Sequence, residues 1–149
     1  NEKFIREVTL PAINKGLAKS ERNRKNFEII YSPFIISGET EESFEQNKKA
    51  VKNKISFYGS TPAYKDVLQI HGWGDLQVEL NVMSKRGLWN EMSDLISDEM
   101  LNTFGIMAEP VNIVRELKRR YGDFIDRTDG SFNFVGSAAR ASMVADLRG

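Results

Sequence analysis

Apolar positions along the chain change their spacing several times, and each change predicts a different element. Phe4, Ile5, Val8, Ile13 and Leu17 recur at helical intervals. Pro11 falls inside that pattern, and its missing N–H predicts a kink or a restart there. The stretch "FEIIYSPFIISG" is apolar nearly throughout from Phe27 to Ile36, which predicts a strand covered on both faces, as in a parallel sheet. Pro33 cannot donate to a ladder and predicts a break within it. After Gly38 the spacing turns helical: Thr40 is placed to cap, Glu41 and Glu42 suit the positive end of the helix, and Phe44, Val51, Ile55 and Tyr58 share a face. Strand, short turn and acidic-start helix make the βα unit of an α/β protein.

From Gly59 to Phe104 the pattern predicts a run of short helices and no strand. Ser60-Thr61-Pro62 reads as a helix start, with a hydroxyl cap and a proline in the first turn. Tyr64, Val67, Leu68 and His71 follow at helical spacing until Gly72 stops them. Leu76, Leu80 and Met83 mark a second helix, and Leu88, Met92 and Leu95 a third. Ser97 or Asp98 caps a fourth over "SDEMLNTFGIM". Beyond it, Pro110 opens an amphipathic helix carrying Ile113, Val114, Leu117 and Tyr121 on one side, closed by Gly122. "DFIDRTDG" reads as a short strand at Phe124–Arg127. The tail 131–149 holds a weak helix whose packing the pattern leaves open. The chain, 1–149, reads as one domain, mostly helical and of α/β class.

Composition removes whole classes of function. Lys plus Arg and Asp plus Glu both number 21, so there is no charge excess for nucleic acid or for an anionic membrane. There is no cysteine and one histidine, which excludes a disulfide scaffold, a thiolate metal site, a cysteine nucleophile and a His-rich metal site. The apolar runs fall short of a membrane span and no leader-like segment heads the chain, which reads as cytoplasmic.

Candidate chemistry is sparse. None of the short glycine-rich, serine or zinc-binding catalytic motifs occurs. Asp98-Glu99 could act as acid and base, but acids at a helix start ordinarily complement its dipole. Lys118-Arg119-Arg120 could meet phosphate, but a basic last turn is ordinarily a solvated helix end. His71 is either a general base or a hydrogen-bonded histidine near a helix end, the commoner role. Trp73, Trp89 and the aromatic stretch from Ile55 to Asp75 are tight-cornered core or the wall of a pocket.

Four segments in order carry more than any one motif: "REVTLPAINKGLAK", "FYGSTPAYKDVLQIHGWGDL", "WNEMSDLISDEML" and "VRELKRRYGDFIDR". Over about residues 4–127 the chain resembles the C-terminal part of the luciferase-like monooxygenase family, and within it a deazaflavin-dependent subgroup. One departure is Met107-Ala108-Glu109, which stands where the family usually has glycine. The resemblance implies the last part of a TIM (β/α)8 barrel. Phe27–Ile36 would be strand seven and Phe124–Arg127 strand eight, the first six strands would be absent, and 59–104 would be a helical insertion near the catalytic mouth. It implies hydride transfer between a deazaflavin, or alternatively FMN, and a small organic substrate. No tight cofactor binding is expected of this fragment alone. Ser60, Thr61, Tyr64 and His71 are the expected substrate-pocket residues; no catalytic residue is assigned. The apolar strand left without neighbours implies a homodimer. The rival expectation is a noncatalytic helical protein-interaction domain.

Overall fold

The computed structural model describes residues 1–148. It opens with a helix in three segments: α over Glu2–Phe4, π over Ile5–Thr9, and α again over Leu10–Lys19 (together α1). The widened turn lies immediately before Pro11, so the expected kink takes the form of a π segment that spares the proline ring a clash with the preceding turn. Ile5 and Leu17 are buried on α1, whereas Val8 is exposed.

The long strand expected at Phe27–Ile36 is only partly realised. Phe34–Ile36 forms β1, and Ile30 makes an isolated parallel bridge to Arg127, with Pro33 between the two. The Tyr31 N–H donates to the Arg127 carbonyl (3.1 Å) and the Asp126 N–H to the Ile29 carbonyl (2.9 Å). Phe27–Ile36 and Phe124–Arg127 therefore do meet in parallel, but over a single bridge. Ile30 is 64% exposed, so the prediction of cover on both faces fails at this end of the segment.

The regular partner of β1 is a strand that the spacing did not reveal. Gly105–Met107 (β2) pairs with it in parallel, with Phe34 opposite Gly105 and Ile36 opposite Met107. The helical pattern of "SDEMLNTFGIM" hid these three residues. Gly105 ends the preceding helix in an extended conformation, and a three-residue strand is too short to show alternation.

The two strands lie between two apolar clusters. Ile36 joins Val51, Ile55, Leu80, Met92, Ile96 and Leu101, with Phe34 and Met107 packed against them. Ile106 joins Ile113, Val114, Leu117, Tyr121, Phe124 and Met143, with Ile35 alongside. Successive side chains thus go to opposite faces, as the strand period requires. On the first face lie Glu41–Gly59 (α2), Lys65–Gln69 (α3), Gly74–Lys85 (α4), Trp89–Met92 (α5) and Asp98–Phe104 (α6). On the second lie Pro110–Tyr121 (α7) and Ser137–Arg148 (α8). The tail helix packs through Met143, so residues the pattern could not place belong to the core. Thr40 caps α2 in a reciprocal box with Ser43, and Ser97 caps α6 by accepting from Met100 N–H. Gly72 and Gly87 hold positive φ angles of 81° and 73°, which let the chain turn sharply between the short helices.

Candidate functional site

Two recesses flank α6, and they differ in chemistry. One is an apolar cavity of about 300 Å³ walled by Phe34, Ile55, Tyr58, Gly59, Tyr64, Val67, Leu68 and Phe104. Its rings form a connected set. Tyr58 meets Tyr64 edge-on at 5.9 Å and stacks near Phe34 at 6.4 Å. The close approach of α2 to α4 depends on Gly59, where an added Cβ would sit 3.0 Å from the Leu80 side chain. Pro62 starts the 3-10 turn Pro62–Tyr64, which delivers Tyr64 to the cavity rim, 43% exposed.

The other recess is a charged groove between the start of α1 and α7, lined by Lys3, Arg6, Glu7, His71, Arg115 and Arg119 among others. Phe104 stands between the two, because its ring lines the cavity while also meeting His71 (6.2 Å) and Trp73 (6.0 Å).

The four residues expected to form one pocket are split by this arrangement. Tyr64 lines the apolar cavity. His71 lines the charged groove instead, stacked on Trp73 at 4.9 Å with its Nε2 3.0 Å from Asn1 Oδ1. Ser60 is buried and occupied locally, its hydroxyl donating to the Phe57 carbonyl at 2.7 Å. Its own carbonyl is held by Gln77 (3.2 Å) and Asn81 (2.9 Å), which tie the end of α2 to α4. Thr61 is exposed and makes no capping bond, so the hydroxyl cap expected at this helix start is not used. Phe34 and Phe104 are the aromatic walls that the sequence did not point to, whereas Tyr58 lies in the stretch from Ile55 to Asp75 read as core or pocket wall. Phe34 and Phe104 stand far from Tyr64 in sequence, which hid the contact.

His71 behaves as a hydrogen-bonded, half-buried histidine. Burial and the nearby Lys3 ammonium hold its pKa below the ordinary 6.5. The fold therefore favours the neutral ring, and the unfolded chain takes up the proton first. This contribution is fully present above pH 6.5 and is lost as pH falls below that value through the lowered folded pKa. The urea midpoint is expected to drop between pH 7.5 and pH 5.5, and His71→Gln to flatten that drop. An unchanged pH slope in the variant would contradict this reading.

The basic end of α7 also differs from expectation. Arg120 is not solvated: its side chain is 12% exposed and donates to the carbonyls of Asn102 (3.0 Å), Thr103 (3.3 Å) and Gly105 (2.6 Å), and to Glu2 (3.2 Å). It closes the C-terminal end of α6, where carbonyls would otherwise lack partners. Asp98 takes the commoner role of an acid at a helix start. It binds Lys48 at 2.8 Å, and that contact lowers its pKa, the mark of a paired surface acid at a helix start.

A parallel strand pair with a long helical excursion between its members, and an apolar cavity inside that excursion, places the chain among α/β proteins of βα type. Residues 4–127 match the luciferase-like monooxygenase family, and the chain belongs to that family. It is 39% identical over 148 residues to an uncharacterised protein of Mycobacterium bovis and to uncharacterised proteins of Mycobacterium tuberculosis. Each alignment covers 99% of this chain and 44% of the relative, so the chain spans less than half the length of these proteins. No solved structure gives a significant match. Among the described residues no helix is long and apolar enough to cross a membrane.

Family membership brings in flavin-type cofactors, which need both a flat apolar slot and donors for a phosphate-bearing end. The charged groove does not meet the second requirement. In the charged groove Arg6 is held by Asp123 through two bonds (2.7 and 2.9 Å), Arg119 by Glu116 (2.9 Å), and Lys3 by the Ile70 carbonyl (2.9 Å). With Arg120 committed to α6, Arg115, 4.0 Å from Glu116, is the one groove cation among the described residues without a hydrogen bond, and a single exposed guanidinium is too little to hold a phosphate-bearing end.

Proposed function

We propose that the chain supplies the substrate-side wall of a luciferase-like oxidoreductase that passes hydride between a deazaflavin, or alternatively FMN, and a small organic substrate. The observation that carries this is the apolar cavity of Phe34, Tyr58, Tyr64 and Phe104, which the helical excursion between β1 and β2 encloses. A concave apolar lining with a few polar groups is the usual form of a small-molecule site. The parallel pairing of β1 with β2 across the excursion, together with the bridge between Ile30 and Arg127, supports reading Phe27–Ile36, Gly105–Met107 and Phe124–Arg127 as strands from the closing part of a (β/α)8 barrel, with 59–104 as the insertion between the first two of them. When bound, the cofactor supplies the electron chemistry. The residues of this chain seat the substrate and keep water from it.

Two measurements test the proposal. Fluorescence titration of the 149-residue chain with FMN and with the deazaflavin coenzyme is expected to give no saturable low-micromolar binding. In a full-length protein carrying this chain, Tyr64→Ala is expected to lower turnover with a melting temperature within a few degrees of the parent, because the ring is half exposed and supports little core. A core tyrosine would instead cost about 3 kcal/mol or more. A large drop in melting temperature with normal activity in the folded fraction defeats the assignment.

The same proposal includes a homodimer. Ile30 is exposed although bridged to Arg127, the strand pair has no third strand in its sheet among the described residues, and Phe27 is also open. Unpaired apolar strand edges favour association with a second copy. Sedimentation equilibrium of the chain is expected to show a concentration-dependent dimer; a single monomeric mass at the highest soluble concentration rejects it.

A further inference from the structure

The lining of the apolar cavity restricts the charge of whatever sits in it. We infer that the moiety bound there is uncharged: an apolar body, aromatic or aliphatic, bearing one hydrogen-bond acceptor such as a ketone carbonyl, and not a carboxylate, phosphate or ammonium. The inference rests on the reading of this cavity as the substrate site.

Three features support it. Of the eight lining residues, none carries a charge at neutral pH, and the Tyr58 and Tyr64 phenols are the only side chains there that can donate a hydrogen bond. An ion moved into such surroundings without a partner pays a large desolvation cost, while a neutral carbonyl loses little and can accept from a phenol. Lys65 and Asp66, between Tyr64 and Val67 in sequence, are exposed and do not line the cavity, and the charged groove lies apart from it. Phe104 stands between that groove and the cavity, backed by His71 and Trp73. The volume of about 300 Å³ suits a small molecule or one arm of a larger one.

All the walls come from residues 34–104, so the test uses the 149-residue chain itself. Three probes share a phenylethyl group: 4-phenylbutan-2-one is a neutral acceptor, 3-phenylpropionate an anion of the same size, and ethylbenzene the shorter body without an acceptor. Affinities are read by ligand-observed NMR titration. The ketone is expected to bind at least about 10-fold more tightly than the carboxylate. It is also expected to bind roughly 3- to 10-fold more tightly than ethylbenzene. The double variant Tyr58→Phe with Tyr64→Phe is expected to shrink the second advantage to what the larger body of the ketone buries and to keep the first. Val67→Trp, which fills the cavity from a half-buried wall position, is expected to abolish binding of all three while circular dichroism and the melting curve show a folded chain.

Carboxylate binding as tight as that of the ketone, still removed by Val67→Trp, overturns the charge inference and leaves the substrate-site reading standing. Ketone and ethylbenzene binding alike in the parent chain overturns the role of the phenols. No binding of any probe to the folded chain overturns both the inference and the placement of the substrate here.

Discussion

Replacing Arg120 with methionine is expected to destabilise the chain by about 2–4 kcal/mol, a fall in Tm of roughly 10 °C. Methionine keeps the apolar stem but removes every donor. The guanidinium serves the carbonyls of Asn102, Thr103 and Gly105 together with Glu2, in a position largely closed to water. Losing it leaves the carbonyls at the end of α6 without partners and takes one of two guanidinium partners from Glu2, which keeps Arg6 (3.0 Å); unmet buried acceptors cost more than the bonds themselves contribute. Arg120→Lys is expected to recover less than half of the loss, because one ammonium cannot span the three carbonyls that a planar fork reaches. Urea unfolding of the two variants beside the parent checks this. A methionine variant as stable as the parent would mean that water replaces the guanidinium freely.

Gly105→Val is expected to cost about 3 kcal/mol and to distort the apolar cavity. Gly105 has φ −136°, a conformation open to any residue, so the requirement is for room. A Cβ there would lie 2.6 Å from the Ile36 side-chain tip and 2.7 Å from the Phe34 carbonyl oxygen. The tip of Ile36 can turn aside; the backbone of β1 cannot do so without giving up its pairing with β2. Phe34 and Phe104, both walls of the cavity, sit directly at this contact. Gly105→Ala is expected to show the same defect in milder form. Urea unfolding gives the stability, and near-ultraviolet circular dichroism reports the aromatic walls. An unchanged aromatic spectrum in a destabilised valine variant would separate the strand pair from the cavity.

Helices were legible wherever a cap and a periodic apolar face coincided. Thr40 with Val51 and Ile55, and Pro110 with Ile113, Val114 and Leu117, stand where their spacing put them. Strands were less legible, because three residues cannot display a period, and Gly105–Met107 sits at the end of a helical pattern. Tyr64 was found as a cavity residue because Pro62 announces the turn that presents it. Ser60 and His71 were grouped with it by proximity along the chain. The fold sends the Ser60 hydroxyl back to its own helix and puts His71 beyond Phe104. Arg120 could not be told from its basic neighbours, since its partners are main-chain carbonyls that leave no trace in sequence.

The π segment at Ile5–Thr9 bears on how much the length of this helix can vary. Ile5 and Leu17 are buried although they lie twelve positions apart, an interval that on a uniform α-helix would point them about a third of a turn away from each other. The widened turn absorbs one residue, so the two behave as if eleven apart, close to three full turns. A lineage that lost one residue between Arg6 and Thr9 would straighten the helix and still present the same buried edge. Sequences with and without that residue can therefore share one packing, provided Pro11 is exchanged in the same step for a residue that tolerates an ordinary turn before it.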